Sequence, residues 1–314
     1  MKTQKLEFGN SAMFEKNKLR NYGLGLGLRA AIQKETLNYI KAETEESCIQ
    51  WLEIIAENYI YKPQAQLEIL KEFMDKGRPI IPHSVNLSIG TAYKSSSREN
   101  YDRRLLDGLK DLFKLIQPPW FSDHISCTRI NGFYLQELIP VPFIKESVNT
   151  IVDNIKFLED EFQLPFLIEN PSYYSTLIKP EMSEAEFLNE ILDKADCGLL
   201  LDINNVYVNA VNHNYNAMEF LDSLDLSRTV QVHIAGHLED YQAHLSKRHL
   251  KILDTHGEVI KEEVFALFKY LLKKTEVKAV LLERDSNFPE FGDIISELLH
   301  IKELMKEFSL TVSN

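Results

Sequence analysis

The chain has 314 residues, 44% of them hydrophobic, and a formal net charge of −12. That apolar content fills a large core and excludes bulk disorder, while the acidic balance argues against a general nucleic-acid binder, which would carry a basic footprint. Cys48, Cys127 and Cys197 are widely spaced with no Cys-x-x-Cys pair, which argues against a disulfide framework or a thiolate zinc site and for small core residues.

The first residues, Met1 to Asn21, lack the apolar stretch of a signal peptide, and no run approaches the roughly 18 apolar residues of a membrane span. The expectation is a cytoplasmic protein with no membrane partner. No repeat, low-complexity tract or Gly/Ser linker breaks the chain, so a single domain over 1–314 is expected, with its core at about 23–307.

Leu24 to Leu28 reads as a close-packed first strand; its alternating glycines lack the third Gly of a dinucleotide loop. A helix is predicted over 33–49, then a strand from Trp51 to Ala56 that ends at Glu57-Asn58. Helix 64–76 places Leu67, Leu70, Phe73 and Met74 on one face. A third strand runs to His83. The next helix, with Ser97 as its cap, carries Leu105, Leu109, Leu112 and Ile116 and is stopped by Pro118-Pro119. Strand four, Trp120 to His124, precedes a helix at about 145–162 and a strand from Pro165 that ends at Glu169. Ser183 and Glu186 form a capping box for the following helix. The strand Gly198–Leu201 ends at Asp202-Ile203-Asn204-Asn205, and a short helix is expected near 216–224. Val230 to Ile234 is a buried strand carrying His233. Helix 260–274, a strand over 278–282 ending at Glu283-Arg284-Asp285, and a helix at about 291–307 complete the chain.

Eight apolar strands alternating with eight helices predict an α/β protein built as a single (β/α)₈ TIM barrel, with a doubly wound open sheet as the rival. In such a barrel the active site lies at the C-terminal strand ends. Those ends carry His83, His124, Glu169, Asp202 with Asn204, His233 and Glu283, and the loop after the seventh strand adds Asp254 and His256. One such residue is readily a hydrogen-bonded structural group. Six strand ends converging on one mouth would set like charges together in a desolvated place, and cations resolve that conflict. Imidazole plus carboxylate suits iron, manganese or zinc. Whether the chemistry is redox or hydrolytic stays open at this point. His237 and Asp240 are placed to orient ligands or to act as acid or base, and Asp285 lies at the same rim. Arg29 either holds a substrate carboxylate or neutralises Glu57. His213, His244, His249 and His300 have no convergent address and read as structural or surface groups.

Nine ordered motifs over about residues 23–290 carry a resemblance: Gly27-Leu28-Arg29, Glu57-Asn58, His83 with Leu87-Ser88-Ile89-Gly90, Ser122-Asp123-His124, Ile168-Glu169-Asn170-Pro171, Leu201-Asp202-Ile203-Asn204-Asn205, His233-Ile234-Ala235-Gly236-His237, Asp254-Thr255-His256 and Glu283-Arg284-Asp285. The set resembles the multinuclear non-haem iron-dependent oxidases, among them the methanobactin-synthesis oxazolone/thioamide enzymes. The resemblance implies a TIM barrel holding two or three Fe ions (Fe2+/Fe3+) and O2 as co-substrate. It implies oxidative remodelling of a residue, often cysteine, in a ribosomally made precursor peptide. The implied ligands are His83, His124, Glu169, Asp202, Asn204, His233, Asp254, His256 and Glu283, with Glu169 bridging and Asp202 either a ligand or the support of Asn204. It also implies a separate partner protein that grips the precursor's leader. Two rival functions share the barrel: a divalent-metal isomerase or phosphodiesterase of the xylose-isomerase or endonuclease kind, and a non-catalytic partner or metal-storage protein.

Overall fold

A computed structural model describes residues 14–42, 47–60, 64–92, 101–130, 133–175, 178–240 and 251–309. In chain order the elements are β1 (Gly23–Gly27), α1 (Gln33–Ala42), β2 (Trp51–Ile55), α2 (Glu57–Ile60), α3 (Gln64–Asp75), β3 (Ile80–His83), α4 (Arg103–Ile116), β4 (Phe121–His124), β5 (Ser126–Ile130), β6 (Phe133–Pro140), α5 (Lys145–Phe162), β7 (Phe166–Glu169), α6 (Glu184–Ala195), β8 (Gly198–Asp202), α7 (Ile203–His213), α8 (Ala217–Ser223), β9 (Thr229–Ile234), β10 (Leu238–Asp240), β11 (Lys251–Leu253), α9 (Glu262–Lys274), β12 (Ala279–Leu282) and α10 (Phe291–Ser309).

Eight parallel strands close a barrel in the order β1-β2-β3-β4-β7-β8-β9-β12, with β12 returning to β1. The TIM-barrel expectation is borne out, and the open sheet is excluded. Alternation along each strand separates two cores. One set of strand residues, including Leu24, Leu26, Leu52, Ile54, Ile80, Phe166, Ile168, Leu201, Val232 and Leu282, packs outward under the helices. The other set, including Trp51, Ile81, Trp120, Leu167, Leu200 and Leu281, fills the barrel interior. Two residues beyond each of five of these inward plugs stand Glu53, His83, Glu169, Asp202 and Glu283. The same two-residue period therefore lays an apolar floor and a polar layer above it. Register levels that layer: His124 pairs with Glu169 and Asp202 with His233 across neighbouring strands.

The floor is built around two fully buried indoles, Trp51 and Trp120. Burying each removes roughly 150–250 Å² from water, worth about 4–6 kcal/mol as an upper bound. Gly25 makes room for one of them: a Cβ there would lie 2.4 Å from Trp51 Cε2. Gly25 thus serves packing inside the barrel.

The structure corrects the sequence reading in five places. Helix α1 is described over Gln33–Ala42, residues 43–46 lie outside the described residues, and 47–49 are not helical: Ser47 exchanges two 2.9 Å hydrogen bonds with the backbone of Ile49, turning the chain into β2. The cap of α4 is Asp102, whose carboxylate accepts from the Arg104 and Leu105 amides; Ser97 lies outside the described residues. Two helices beyond the expected eight, α2 and α7, are present among the described residues. Helix α7 starts directly at Ile203 because Asp202, read as a strand end, is also its N-cap. Two antiparallel hairpins, β5–β6 and β10–β11, sit outside the barrel sheet. The capping box of Ser183 and Glu186 on α6 is as expected. No helix among the described residues is long and apolar enough to cross a membrane.

Candidate metal centre

The polar layer gathers at the C-terminal end of the barrel. His83 Nε2 and His124 Nε2 lie 3.3 and 3.4 Å from the same oxygen, Glu169 Oε2. The other oxygen, Oε1, faces His233 Nδ1 at 3.5 Å. His233 Nδ1 is also 2.9 Å from Glu283 Oε2, and that oxygen lies 3.2 Å from His256 Nδ1. His256 Nδ1 is 3.3 Å from Asp285 Oδ2, and its Nε2 is 3.6 Å from Asp202 Oδ2. Three groups with donor atoms close enough to share one cation each emerge: His83, His124 and Glu169; Glu169, Asp202, His233 and Glu283; and His256, Glu283 and Asp285. Glu169 belongs to the first two groups and Glu283 to the last two.

A cation fits this arrangement for two reasons. Glu169 Oε2, Asp202 Oδ2, His233 Nδ1 and His256 Nε2 are buried without a hydrogen-bond partner among the described residues. Buried polar atoms are rarely left so, because each costs its full desolvation penalty. The electrostatics demand positive charge as well. Burial alone would lower His124, yet Glu169, Asp123 and Glu283 outweigh it and lift the imidazole to about 9. His233 and His256 are likewise raised well above the usual imidazole range, burial being overcome by Glu53, Glu283 and Glu169 for the first and by Asp254 and Glu283 for the second. Burial would raise Glu169, but His124, His83 and His233 bring it down to about 2. Asp202 goes the other way, to about 8: burial, with repulsion from Asp254 and Glu169, exceeds the pull of His256. Metal ions satisfy the same demand with neutral imidazoles.

Neighbouring residues hold the donors in place. His83 Nδ1 bonds Ser122 Oγ at 2.8 Å. Asp123 sits 3.6 Å from His124 Nδ1 and accepts the Leu87 amide at 2.7 Å, tying the loop after β3 to the strand that carries His124. Arg29 donates to Glu283 Oε1 at 2.8 Å and to Asp285 Oδ1 at 2.7 Å. It therefore neutralises the third donor group and not Glu57. The Glu57 carboxylate instead accepts from Ser84 Oγ and from the Val85 and Asn86 amides at 3.0 Å.

The residues singled out from the sequence fall into clear places. His83, His124, Glu169, Asp202, His233, His256 and Glu283 converge, and Asp285 joins them as a donor of the third group. Asp254 stands beside them, 2.7 Å from His256 Nε2, and accepts from Asn204 Nδ2 at 2.8 Å and Ser172 Oγ at 3.0 Å. Asn204 Oδ1 in turn contacts His237 Nδ1 at 2.8 Å. His237 is buried against Tyr207, its pKa lowered by burial and by Lys261; it reaches the donors only through Asn204 and Asp254. Asp240 belongs to β10, and its side chain lies outside the described atoms. His213 bonds the Tyr173 carbonyl and stacks on that ring, and His300 meets Phe265 edge-on, so both are structural. His244 and His249 lie outside the described residues.

Two residues at the site escaped the sequence reading. Glu53 and Gln231 are fully buried, and Glu53 Oε2 lies 2.9 Å from His233 Nε2. The signal was available: a carboxylate and an amide inside otherwise apolar strand runs, Trp51–Ile55 and Val230–Ile234.

Solved structures with a similar fold include a D-allulose 3-epimerase from Methylomonas sp. in complex with D-allulose (TM-score 0.58, 13% identity, 91% of this chain and 97% of that one). Another is a xylose isomerase-like TIM barrel protein from Mycobacterium smegmatis in complex with magnesium (TM-score 0.55, 11% identity, 94% and 99%). At such identities they share the fold alone. In sequence, a UPF0276 protein of Pasteurella multocida is 35% identical over 311 residues, covering 93% of this chain and 97% of that protein. A UPF0276 protein of Caulobacter vibrioides is 32% identical over 276 residues, covering 88% and 91%. A family model described as RiPP precursor modification enzyme MbnB/TglH/ChrH matches residues 23–306. The motif resemblance and the match agree, and the chain belongs to the MbnB/TglH/ChrH family of enzymes that modify ribosomally made precursor peptides.

Proposed function

We propose that the protein is a multinuclear, O2-using iron oxidase that remodels a residue, cysteine in the first instance, of a ribosomally made precursor peptide. A separate leader-binding protein presents that peptide. The observation that carries the reading is the pair of shared carboxylates: Glu169 and Glu283 link three donor groups into one chain. A divalent-metal isomerase working with one cation has no use for such linkage, and a multinuclear phosphodiesterase is set apart by consuming no O2. The donor set contains imidazole and carboxylate and no thiolate, which suits iron as it does manganese or zinc; the motif resemblance favours iron.

In this reading His83, His124 and Glu169 would hold one ion, Asp202 and His233 with Glu169 and Glu283 the next, and His256, Glu283 and Asp285 a third. Asp254 stands beside His256 on its Nε2 side, and Asn204 is turned to Asp254 and His237. Iron bound there supplies O2 activation and electron transfer, which the side chains cannot. The chain's own residues supply position and charge. Arg29 limits repulsion between Glu283 and Asp285, and Asn204 links His237 to Asp254 beside His256. The apolar floor below the donors keeps water from approaching from beneath. Selectivity among peptide residues comes from holding the right one at the mouth.

The test is anaerobic purification, iron loading and a metal count, followed by O2 uptake with a cysteine-containing precursor. Two or three irons per chain and peptide-dependent O2 uptake are expected. Fewer than about two irons with no gain on loading, or turnover with magnesium or manganese and no O2 consumed, would count against the oxidase and favour the isomerase alternative.

A further inference from the structure

Beneath the donors, a line of buried polar groups starts at a side chain that can only donate. Trp120 gives its indole N–H to Gln231 Oε1 at 2.8 Å. An indole nitrogen cannot accept, so this contact orients the Gln231 amide, oxygen toward Trp120 and Nε2 toward Glu53. Gln231 Nε2 donates to Glu53 Oε2 at 2.6 Å, and His233 Nε2 lies 2.9 Å from that same oxygen. All four residues are fully buried.

The position of the imidazole proton follows from a comparison of two arrangements. Gln231 Nε2 is also 2.9 Å from His233 Nε2 and has a second hydrogen to offer. Were the ring nitrogen bare to receive it, its lone pair would face a carboxylate oxygen 2.9 Å away with no proton between them. Donation from Nε2–H to the carboxylate removes that repulsion and forms the stronger, charge-assisted bond. His233 Nδ1 is then the bare nitrogen. Among the described residues it has no hydrogen-bond partner, and it faces Glu283 Oε2 at 2.9 Å and Glu169 Oε1 at 3.5 Å, so the same repulsion arises there unless a cation takes up the lone pair.

A purely structural role does not account for Glu53. A carboxylate buried this deeply is costly, its Oε1 has no hydrogen-bond partner among the described residues, and an apolar side chain would extend the floor at lower cost. We propose that Glu53 is a positioning residue that holds His233 in the Nε2–H form and so turns Nδ1 toward the cation it shares with Glu169, Asp202 and Glu283. Gln231 and Trp120 keep Glu53 in register. The inference rests on the metal-centre reading above and is independent of which metal or substrate the enzyme uses.

The probe is cobalt(II) alone, added to the full chain. Imidazole N–H protons of cobalt-bound histidines resonate far outside the diamagnetic window, so each ligand reports separately. One such resonance, from His233 Nε2–H, is expected to survive longest in D2O because it is buried and bonded to Glu53. In Glu53→Gln, cobalt affinity should fall ~10–100-fold, and that one resonance should shift or exchange rapidly while those of the other histidines stay. Trp120→Phe retains the carboxylate but frees the Gln231 amide to flip; the same resonance should lose protection, with a smaller loss of affinity. Wild-type affinity and an unchanged protected resonance in both variants overturn the proposal. So does collapse of the barrel in Glu53→Gln alongside wild-type behaviour of Trp120→Phe. If the unsubstituted chain takes up no cobalt, the metal centre itself is refuted. If it does so without a protected N–H, only the role of Glu53 falls.

Discussion

Replacing Glu169 by Gln keeps the side-chain shape and removes one negative charge at the point where two donor groups meet. The first group is left with two neutral imidazoles, and the second loses one of its three carboxylates; the third, His256 with Glu283 and Asp285, does not contain Glu169. Losing an outer partner of a metal ligand costs about 10–100-fold in affinity, so losing a charged donor costs at least about 100-fold. A group held at tenfold excess over its dissociation constant would drop to roughly 10% occupancy, a change of about 2.7 kcal/mol. Glu169→Gln should therefore lose two of the three ions and keep one. Glu283→Gln should also keep one, but a different one, and Asp285→Asn should keep two. The assay is metal analysis after anaerobic loading and desalting, with circular dichroism to verify folding. The reasoning fails if the three folded variants lose metal equally, or if Glu169→Gln keeps the wild-type count.

Three further outcomes are expected. Gly25→Ala should destabilise the barrel by about 1–3 kcal/mol or more, because the new Cβ meets the Trp51 ring at 2.4 Å; thermal melts should show a loss of a few degrees or more, and coupling to Trp51→Leu in a double-mutant cycle identifies the clash as the cause. Burial lifts Glu184 to about 7, despite hydrogen bonds from Tyr173, Tyr215 and Asn209 that pull it back. The folded chain thus holds this proton more tightly than the unfolded one, whose value is near 4.5. That stability, up to about 3 kcal/mol, is present below the unfolded value and is lost as the pH rises through about 7. Glu184→Gln should abolish this dependence and exceed the wild type in denaturant midpoint at pH 8, and an unchanged pH profile would contradict the assignment. His300→Ala removes only an edge-on contact with Phe265; metal content should not change and stability should fall by about 1 kcal/mol or less, as metal analysis and melts will show.

Much of the centre was legible in the chain because a barrel strand writes its ligand in a conspicuous place. An apolar run ends and a single His, Asp or Glu follows, as at His83, Glu169, Asp202 and Glu283. Glu53 and Gln231 were harder to see because they interrupt such runs, and only closure of the barrel decides that they face inward toward His233. Asp202 hid helix α7 by serving two purposes at once, donor and N-cap, so a strand end and a helix start shared one residue. The β5–β6 hairpin has no clean apolar alternation, since most of β6 is exposed or half-buried, and hydrophobic period alone does not reveal it. Arg29 was recognised as belonging to the rim, but its partners Glu283 and Asp285 lie more than 250 residues away in the chain, a pairing set by β12 closing against β1.

The two indoles below the donors have a consequence for traffic. With Trp51 and Trp120 filling the bore, and Phe14, Leu19 and Tyr22 packed against them, the described barrel is closed at the end away from the donors. In the proposed reaction, gas, peptide and product would all use the other end. A peptide seated over the donors would then also act as a stopper, and in the proposed reaction the order in which oxidant and peptide arrive would follow from that closed floor.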